Sequence, residues 1–269
     1  MKHFLIFLLF FLTLFVYGCN TVEKKPSGII MEITPDAKIV WKSKIYKYPS
    51  CFNKDNKGNL LIADMATSSF YETDKDGNLR WIYPGNNPSY IEKTSENNYL
   101  IVNQTGPKSI QVVNSLGEVV DSIENLDNPA EAHIFKNNHY LVALKGQNSI
   151  KIYNPDHQIL WETKEGLLDS PSSVQALPDD TFLISDYNNA RIIEINKDSQ
   201  ILWKYFDHLN HPSAAIRLHN NVYVIGDRDN KRILFIKKTG EIVNTLNNLQ
   251  VNSISLLPDG HLGVAALKY

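Results

Sequence analysis

The chain has 269 residues, a formal net charge of -2 and a hydrophobic content of 43%. This length allows one large domain or two smaller ones, and the composition is that of a globular protein with a real core. The nearly neutral charge, without a basic cluster, argues against a nucleic-acid-binding face, so we expect no nucleic-acid partner.

The first residues form a segment of their own. Lys2 and His3 precede an apolar run over residues 4–17, which is followed by Gly18-Cys19. A positive start, a short apolar stretch and a small residue before the cut are typical of a secretory signal. The run is too short for a comfortable transmembrane span of about 20 residues. Residues 1–18 are therefore predicted to be a signal peptide.

The end of this segment, Val16-Tyr17-Gly18-Cys19, resembles the lipobox of bacterial lipoproteins. The resemblance implies that Cys19 becomes a lipid-modified first residue, whose acyl chains hold the protein on a membrane without a spanning helix. Residues 19–27 are then a polar tether. Asn20 is not the aspartate associated with inner-membrane retention, so the resemblance favours an extracytoplasmic position on the outer membrane. A plain secretory peptide or an uncleaved anchor is the alternative.

Two columns of landmarks repeat along the rest of the chain at spacings of 39 to 42 residues. One column consists of prolines that precede a small residue, and the other marks the end of the strand that follows each polar turn. Two independent columns in step indicate a structural repeat. The columns are Pro49, Pro88, Pro129, Pro171 and Pro212, and Trp41, Trp81, Asp121, Trp161, Trp203 and Asn244.

Each unit contains four short β-type runs and no stretch with helical periodicity. In the first complete unit the predicted strands are 50–53, 59–63, 69–73 and 79–83. Four strands in about 40 residues are the signature of a β-propeller blade.

The two ends of the domain complete each other. Residues 251–269 provide two strands, and residues 28–41 provide the missing pair. The prediction is an all-β, six-bladed β-propeller over residues 28–269, made of four-stranded blades, with the last blade closed by strands from both termini. Two β-sandwiches would need a linker near the middle, but the period continues unbroken through residues 117–171.

Two units carry a strand-exit aspartate followed by an Asn-x-Arg-Ile type of turn, at residues 185–192 and 226–233. These turns resemble the NHL repeat. The polar turn that precedes Trp81, Trp161 and Trp203 is similar to blades of quinoprotein-like and arylsulfotransferase-like propellers. The resemblance covers nearly all of the mature chain, but its motifs specify a blade and not an activity. We assign to the frame the four tryptophans and Asp64, Asp186, Asp227, Arg191 and Arg232.

A ligand site is expected at the mouth of the channel where the inner strands begin. The residues two and four after each landmark vary, while the residue between them stays mostly apolar, as strand alternation requires. The first four complete units place polar groups there. The last two place apolar or small groups, with Asn252 and Ile254 aligned in the sixth blade. The predicted ligand-binding residues are Asn53, Tyr90, Glu92, Glu131, His133 and Gln175.

Catalytic and metal chemistry find little support in the sequence. His133 with Glu131 is an acid–imidazole pair. Oxygens of Asn53, Glu92 and Glu131 would suit a channel cation as in lactonase-like propellers, and Asp207-His208-x-x-His211 has ligand-like spacing. Neither set is sufficient to predict a metal. No nucleophile elbow or phosphate cradle appears, and a lipidated Cys19 leaves Cys51 without a disulfide partner.

Four tyrosines near the predicted mouth, Tyr46, Tyr48, Tyr83 and Tyr90, could stack on a sugar or peptide or pack between blades. We therefore expect a surface-tethered, non-catalytic binding module for a protein, peptide or glycan, without a cofactor. The alternative is an extracytoplasmic propeller enzyme. It would be a cation-dependent, lactonase-like hydrolase or a relative of arylsulfotransferases and quinoproteins.

Overall fold

A computed structural model describes residues 27–44 and 46–269. These residues form six separate four-stranded antiparallel sheets, and their one helical element is a single short 3-10 turn at Lys136–Asn138. The predicted signal peptide and Cys19 lie outside the described residues. The strands are β1 (Ser27–Ile33), β2 (Ile39–Ser43), β3 (Pro49–Lys54), β4 (Leu60–Asp64), β5 (Ser69–Thr73), β6 (Leu79–Pro84), β7 (Pro88–Lys93), β8 (Tyr99–Asn103), β9 (Ser109–Val113), β10 (Val119–Ile123), β11 (Pro129–Phe135), β12 (His139–Leu144), β13 (Ser149–Tyr153), β14 (Ile159–Glu162), β15 (Pro171–Ala176), β16 (Phe182–Asp186), β17 (Arg191–Ile195), β18 (Ile201–Tyr205), β19 (Pro212–Arg217), β20 (Val222–Asp227), β21 (Arg232–Lys237), β22 (Ile242–Asn247), β23 (Leu249–Leu256) and β24 (Leu262–Lys268).

Each sheet is one blade of a β-propeller. Blades 1 to 5 contain β3–β6, β7–β10, β11–β14, β15–β18 and β19–β22, each in chain order from the channel outwards. Blade 6 has the order β23-β24-β1-β2, so its two outer strands come from the beginning of the domain. The predicted six-bladed architecture and its closure by both termini are confirmed. This closure leaves each blade with only a short outer edge strand of four to six residues.

The outer hairpins are fixed by side chains in their turns. In blade 1 the Oδ1 atom of Asp74 accepts hydrogen bonds from the backbone N–H groups of Asp76 (3.0 Å) and Asn78 (2.9 Å). Asn and Asp favour turns because the side chain can replace backbone partners in this way. Asn114 and Asn196 make the same pair of bonds in blades 2 and 4.

The strand-exit aspartates hold the entry and exit of a blade together. Asp186 accepts from Arg191 Nε at 2.6 Å and from the backbone N–H of Asp169 at 2.7 Å. Asp227 accepts from Arg232 Nε at the same distance. Since both carboxylates are fully buried, these charge-assisted bonds are needed to satisfy them. These aspartate and arginine side chains therefore serve the frame, as predicted.

The tryptophans connect neighbouring blades. Trp81 stacks on Tyr99 of the next blade with a centroid distance of 3.6 Å, and Trp203 stacks on Tyr223 at 4.0 Å. Trp203 Nε1 also donates to the carbonyl of Lys238 at 2.8 Å. Large aromatic faces thus cover the seam between blades, which agrees with their assignment to the frame.

Side chains at a recurrent bulge join the inner strands of neighbouring blades. Ser50 Oγ donates to the carbonyl of Pro88 at 2.6 Å, and Ser213 Oγ donates to that of Val251 at 2.8 Å. Asn252 Nδ2 joins blade 6 to blade 1 by donating to the carbonyl of Pro49 at 2.7 Å. Val251 therefore occupies the landmark position of blade 6, and Asn252 is the bulge residue.

This register corrects the predicted alignment of blade 6. The pairing of β23 with β24 shifts between Val251 and Ser253, where the other inner strands shift after their landmark proline. The residues two and four after the landmark are thus Ser253 and Ser255, and not Asn252 and Ile254. The error arose because blade 6 has no landmark proline, so the period alone set its alignment.

Candidate functional site

The six inner strands surround a channel that has a cavity at each end. One cavity, of about 260 Å³, brings together all six side chains predicted from the variable columns. We call it the acidic cavity. It is lined by Val174, Ala215, Ile216, Ile254, Ser255 and Leu256 on its less polar side, and by Asn53, Tyr90, Glu92, Glu131, His133 and Gln175 on its polar side.

The acidic cavity lies at the other end of the inner strands from the one expected. A shallower cavity shares Asn53, Glu92 and Leu256 with it and is lined by the β3–β4 turn residues 55–57. The predicted residues therefore cluster where the inner strands end, and not where they begin. The reason is that the fourth residue after the landmark is already close to the end of a strand such as β3, Pro49–Lys54.

The centre of the acidic cavity is a histidine between two carboxylates. Nδ1 of His133 lies 3.1 Å from Oε2 of Glu92, and Nε2 lies 3.2 Å from Oε1 of Glu131. Tyr90 donates its hydroxyl proton to the same Glu92 oxygen at 2.8 Å, and its ring lies edge-on to the imidazole. Both ring nitrogens are thus occupied by protein acceptors.

The remaining oxygens of these carboxylates bind backbone of the next blade. Glu92 Oε1 accepts from the N–H of Ile134 at 3.2 Å, and Glu131 Oε2 accepts from the N–H of Val174 at 2.9 Å. Each carboxylate therefore lies between its own inner strand and the following one. The array connects blades 2, 3 and 4 across the channel wall.

Gln175 continues the same pattern into blade 5. Its Oε1 accepts from the backbone N–H of Arg217 at 2.7 Å, and its Nε2 donates to the carbonyl of Arg217 at 3.3 Å. Asn53 is less engaged, since its Oδ1 accepts from the neighbouring N–H of Lys54. Of the polar set, Asn53 thus has its amide donors most available to a ligand.

The surroundings of His133 keep it protonated. Burial lowers the pKa of the imidazole, but the hydrogen bonds and charges of Glu131 and Glu92 outweigh burial and raise this pKa to about 10. Burial and the charges of Glu92 and Glu131 raise the pKa of the Tyr90 hydroxyl well above its ordinary value. At neutral pH neither group is a general base, because each holds its proton.

The other wall of the acidic cavity is apolar except for one hydroxyl. Ser255 Oγ is buried and lies beside the thiol of Cys51, with no other hydrogen-bond partner among the described residues. Cys51 itself is fully buried, and burial raises the pKa of its thiol to about 12. The thiolate that a nucleophilic cysteine needs is therefore disfavoured.

Metal-ligand types converge elsewhere. Within residues 27–44 and 46–269, one group of three ligand-type side chains comes together: Glu32, Asp259 and His261, whose ligand atoms lie within 4.8 Å of one another. The ammonium of Lys54 already pairs with Glu32 there, so a cation would have to displace it. The candidate loop residues Asp207, His208 and His211 are not part of this group, and His211 pairs with Asp229 at 2.7 Å.

The opposite end of the channel, where the inner strands begin, holds a cavity of about 220 Å³. Its twelve lining residues include two cations, Lys145 and Arg228, and no carboxylate. We call it the basic cavity. Sequence reasoning placed Tyr48 near a mouth but missed Lys145 and Arg228. The signal was a third variable column, the residue after each strand exit: Met65, Gln104, Lys145, Tyr187 and Arg228.

No model of a known protein family matches the sequence, and no curated protein matches it. Solved structures do match its fold. They include a protein of unknown function from Bacteroides caccae (18% identity, TM-score 0.66, 82% of this chain and 94% of that one). The WD40 propeller domain of Doa1 (14%, 0.67, 90% and 93%) and virginiamycin B lyase from Staphylococcus aureus (14%, 0.63, 88% and 87%) also match.

At these identities the likeness shows the β-propeller fold alone. The matching structures include both an enzyme and a WD40 domain, so the fold is compatible with either kind of function. Within the described residues, no helix has the length and apolar character needed to span a bilayer.

Proposed function

We propose that the chain is a non-catalytic binding module whose ligand, a protein, peptide or glycan, inserts a partly polar group into the acidic cavity. The observation that carries the proposal is the asymmetry of this cavity. Asn53, whose amide donors are available, and the already paired carboxylates of Glu92 and Glu131 face an apolar wall formed by Ile216 and Ile254. Concave sites with a few polar groups opposite an apolar wall are typical of ligand pockets.

The pairing of His133 supports binding rather than turnover. A catalytic imidazole must release or accept a proton near the working pH, whereas His133 is held as an imidazolium by two carboxylates.

The proposal is tested with purified protein on a glycan array and on a displayed peptide library. Ile216→Trp fills the cavity from its apolar wall, and Asn53→Ala removes an amide without changing the wall. Ile242→Trp is the matched control, because Ile242 is exposed on β22 of the same blade. Binding that Ile216→Trp and Asn53→Ala weaken but Ile242→Trp retains supports the proposal. Reproducible hits that none of them affects, or no hits, contradict it.

The localisation forms part of the same proposal. Cys19 would carry the lipid and hold the propeller outside the cytoplasm, on the outer membrane of a cell envelope. The support is the lipobox-like sequence before Cys19. We expect the wild-type chain to fractionate with membranes and Cys19→Ser to be released. Retention of Cys19→Ser on the membrane would contradict lipid anchoring.

A propeller enzyme is the second candidate, favoured by the fold likeness to virginiamycin B lyase and streptogramin B lyase. A cation-dependent hydrolase or a relative of arylsulfotransferases would also be a propeller enzyme. The test is incubation of the purified protein with a streptogramin B antibiotic, a lactone and an aryl sulfate, with and without divalent cations, followed by chromatography. The binding-module proposal predicts no new product. A product lost in Glu131→Ala and His133→Ala would replace it.

A further inference from the structure

The basic cavity holds two cations that lack sufficient counter-charge. The ammonium of Lys145 lies 5.2 Å from the ring centroid of Tyr187, and among the described residues its electrostatic environment contains Arg228 but no carboxylate. Arg228 has one acidic neighbour, Asp229, at 3.4 Å, and Asp229 is shared with His211 at 2.7 Å. The lining itself contributes two positive charges and no negative one.

Neutral donors point to the same space. Arg228 donates to the hydroxyl oxygen of Tyr48 at 3.2 Å, which leaves the proton of Tyr48 available to another acceptor. The side-chain oxygen of Gln104 accepts from Asn87 at 3.0 Å, which leaves the amide N–H groups of Gln104 available in turn. Tyr48 and Gln104 both line the cavity. The cavity is thus rich in donors that the protein does not satisfy.

Two half-buried cations beside each other are unfavourable in a folded protein. Burial, and after it the charge of Arg228, lowers the pKa of Lys145 to about 8. An anion between the two groups would remove the repulsion and satisfy the free donors. The volume of about 220 Å³ equals that of roughly seven liquid waters at about 30 Å³ each, which is enough for an oxyanion and a small body.

We propose that the basic cavity is a second ligand site, which binds the oxyanion of a small molecule, a carboxylate or a phosphate, between Lys145 Nζ and the Arg228 guanidinium. Tyr48 and Gln104 donate further hydrogen bonds to the same group. Arg matches planar or tetrahedral oxyanions with several parallel donors, and Lys adds a point charge. This site lies at the opposite end of the channel from the acidic cavity, so its occupancy does not depend on the proposed function.

The test is calorimetric titration of the full-length protein in detergent with benzoate and with inorganic phosphate, at constant ionic strength in chloride. We expect saturable binding of at least one probe at one site per chain. Lys145→Met and Arg228→Gln should each weaken it about tenfold or more, the loss expected for a hydrogen bond to a charged group. Lys57→Met is the matched control, since it removes the same charge from an exposed turn beyond the acidic end.

Each outcome decides the proposal. Saturation by benzoate alone identifies a carboxylate site, and saturation by phosphate alone identifies a phosphate site. Either outcome, or saturation by both probes, supports the proposal. Absence of saturation with either probe overturns it, and so does an equal loss in Lys57→Met, which would indicate general charge attraction. Circular dichroism checks the fold of each variant. If Arg228→Gln does not fold, Lys145→Met carries the test, because its ammonium has no carboxylate partner to leave unpaired.

Discussion

The two ends of the channel differ in whether the protein pairs its own charges. At the acidic end, the carboxylates of Glu92 and Glu131 both reach His133 and the backbone of the next blade. At the basic end, Lys145 and Arg228 share a cavity without a carboxylate in its lining. The carboxylates at the acidic end thus have their partners within the fold, whereas the cations at the basic end have too few.

This difference separates charges that stabilise the fold from charges that are available to a ligand. Removing a buried charge that has a full set of partners destabilises the fold, because the partners are left unsatisfied. A charge without partners contributes little to the fold and is available to a ligand. Removing a charge at the acidic end should therefore lower stability, whereas removing one at the basic end should lower binding of the proposed oxyanion.

The largest effect on stability is expected from Glu131→Ala. The substitution leaves the N–H of Val174 and Nε2 of His133 without their acceptor, at a side chain that is only 13% exposed. We expect a loss of about 2–3 kcal/mol in the free energy of unfolding, measured in urea. Glu165→Ala, at an exposed turn, is the control. Equal losses of unfolding free energy in the two variants would show that Glu131 and His133 do not stabilise the contact between blades.

The pH dependence of stability should report the same array. The folded pKa of His133 is raised from 6.5 to about 10, so its contribution is complete below about pH 6.5 and is lost as the pH rises towards 10. The difference in unfolding free energy between wild type and His133→Gln should shrink over that interval. His219→Gln, at an exposed turn, is the matched control. A constant difference for His133→Gln would contradict the raised pKa.

The fold was readable because its landmarks have local structural roles in most blades. Trp81 and Asp186 recur at fixed places since each one seals a seam or closes a turn, so the period survives where individual residues vary. Blade 6 lacks the landmark proline, and there the prediction slipped by one residue at Val251. Periodicity thus gave the architecture but could not set a register without a marker.

The candidate sites were readable only in part. Tyr90 and Glu92 share one face of β7, so strand alternation sufficed to group them. That Glu92 binds Ile134 depends on the packing of blade on blade, which no local pattern encodes. Lys145 was missed because the strand before it ends in Leu144, where the acidic exit motif that marks this position is absent.

A smaller effect on stability is expected from substitutions of the bulge side chains on the inner strands. Ser213 Oγ donates to the next blade at 2.8 Å, whereas Ser89 Oγ contacts the carbonyl of Val102 in its own blade at 3.4 Å. Ser213→Ala should therefore lower the free energy of unfolding by about 1 kcal/mol, and Ser89→Ala by less. Urea unfolding of both variants measures the difference. A larger loss of unfolding free energy in Ser89→Ala would show that the bulge side chains do not join the blades.

The smallest effect on stability is expected from Lys145→Met, within about 0.5 kcal/mol of wild type or stabilising at neutral pH. The folded pKa of Lys145 is lowered from 10.5 to about 8, so its charge opposes folding most below pH 8, and this penalty disappears as the pH rises to 10.5. Any gain in Lys145→Met should follow that course in urea unfolding. A loss of unfolding free energy above about 1 kcal/mol would show that Lys145 stabilises the fold, as Glu131 does. A stable variant that no longer binds the oxyanion would instead show that the fold keeps this cation for its ligand, because only a bound partner offsets the penalty.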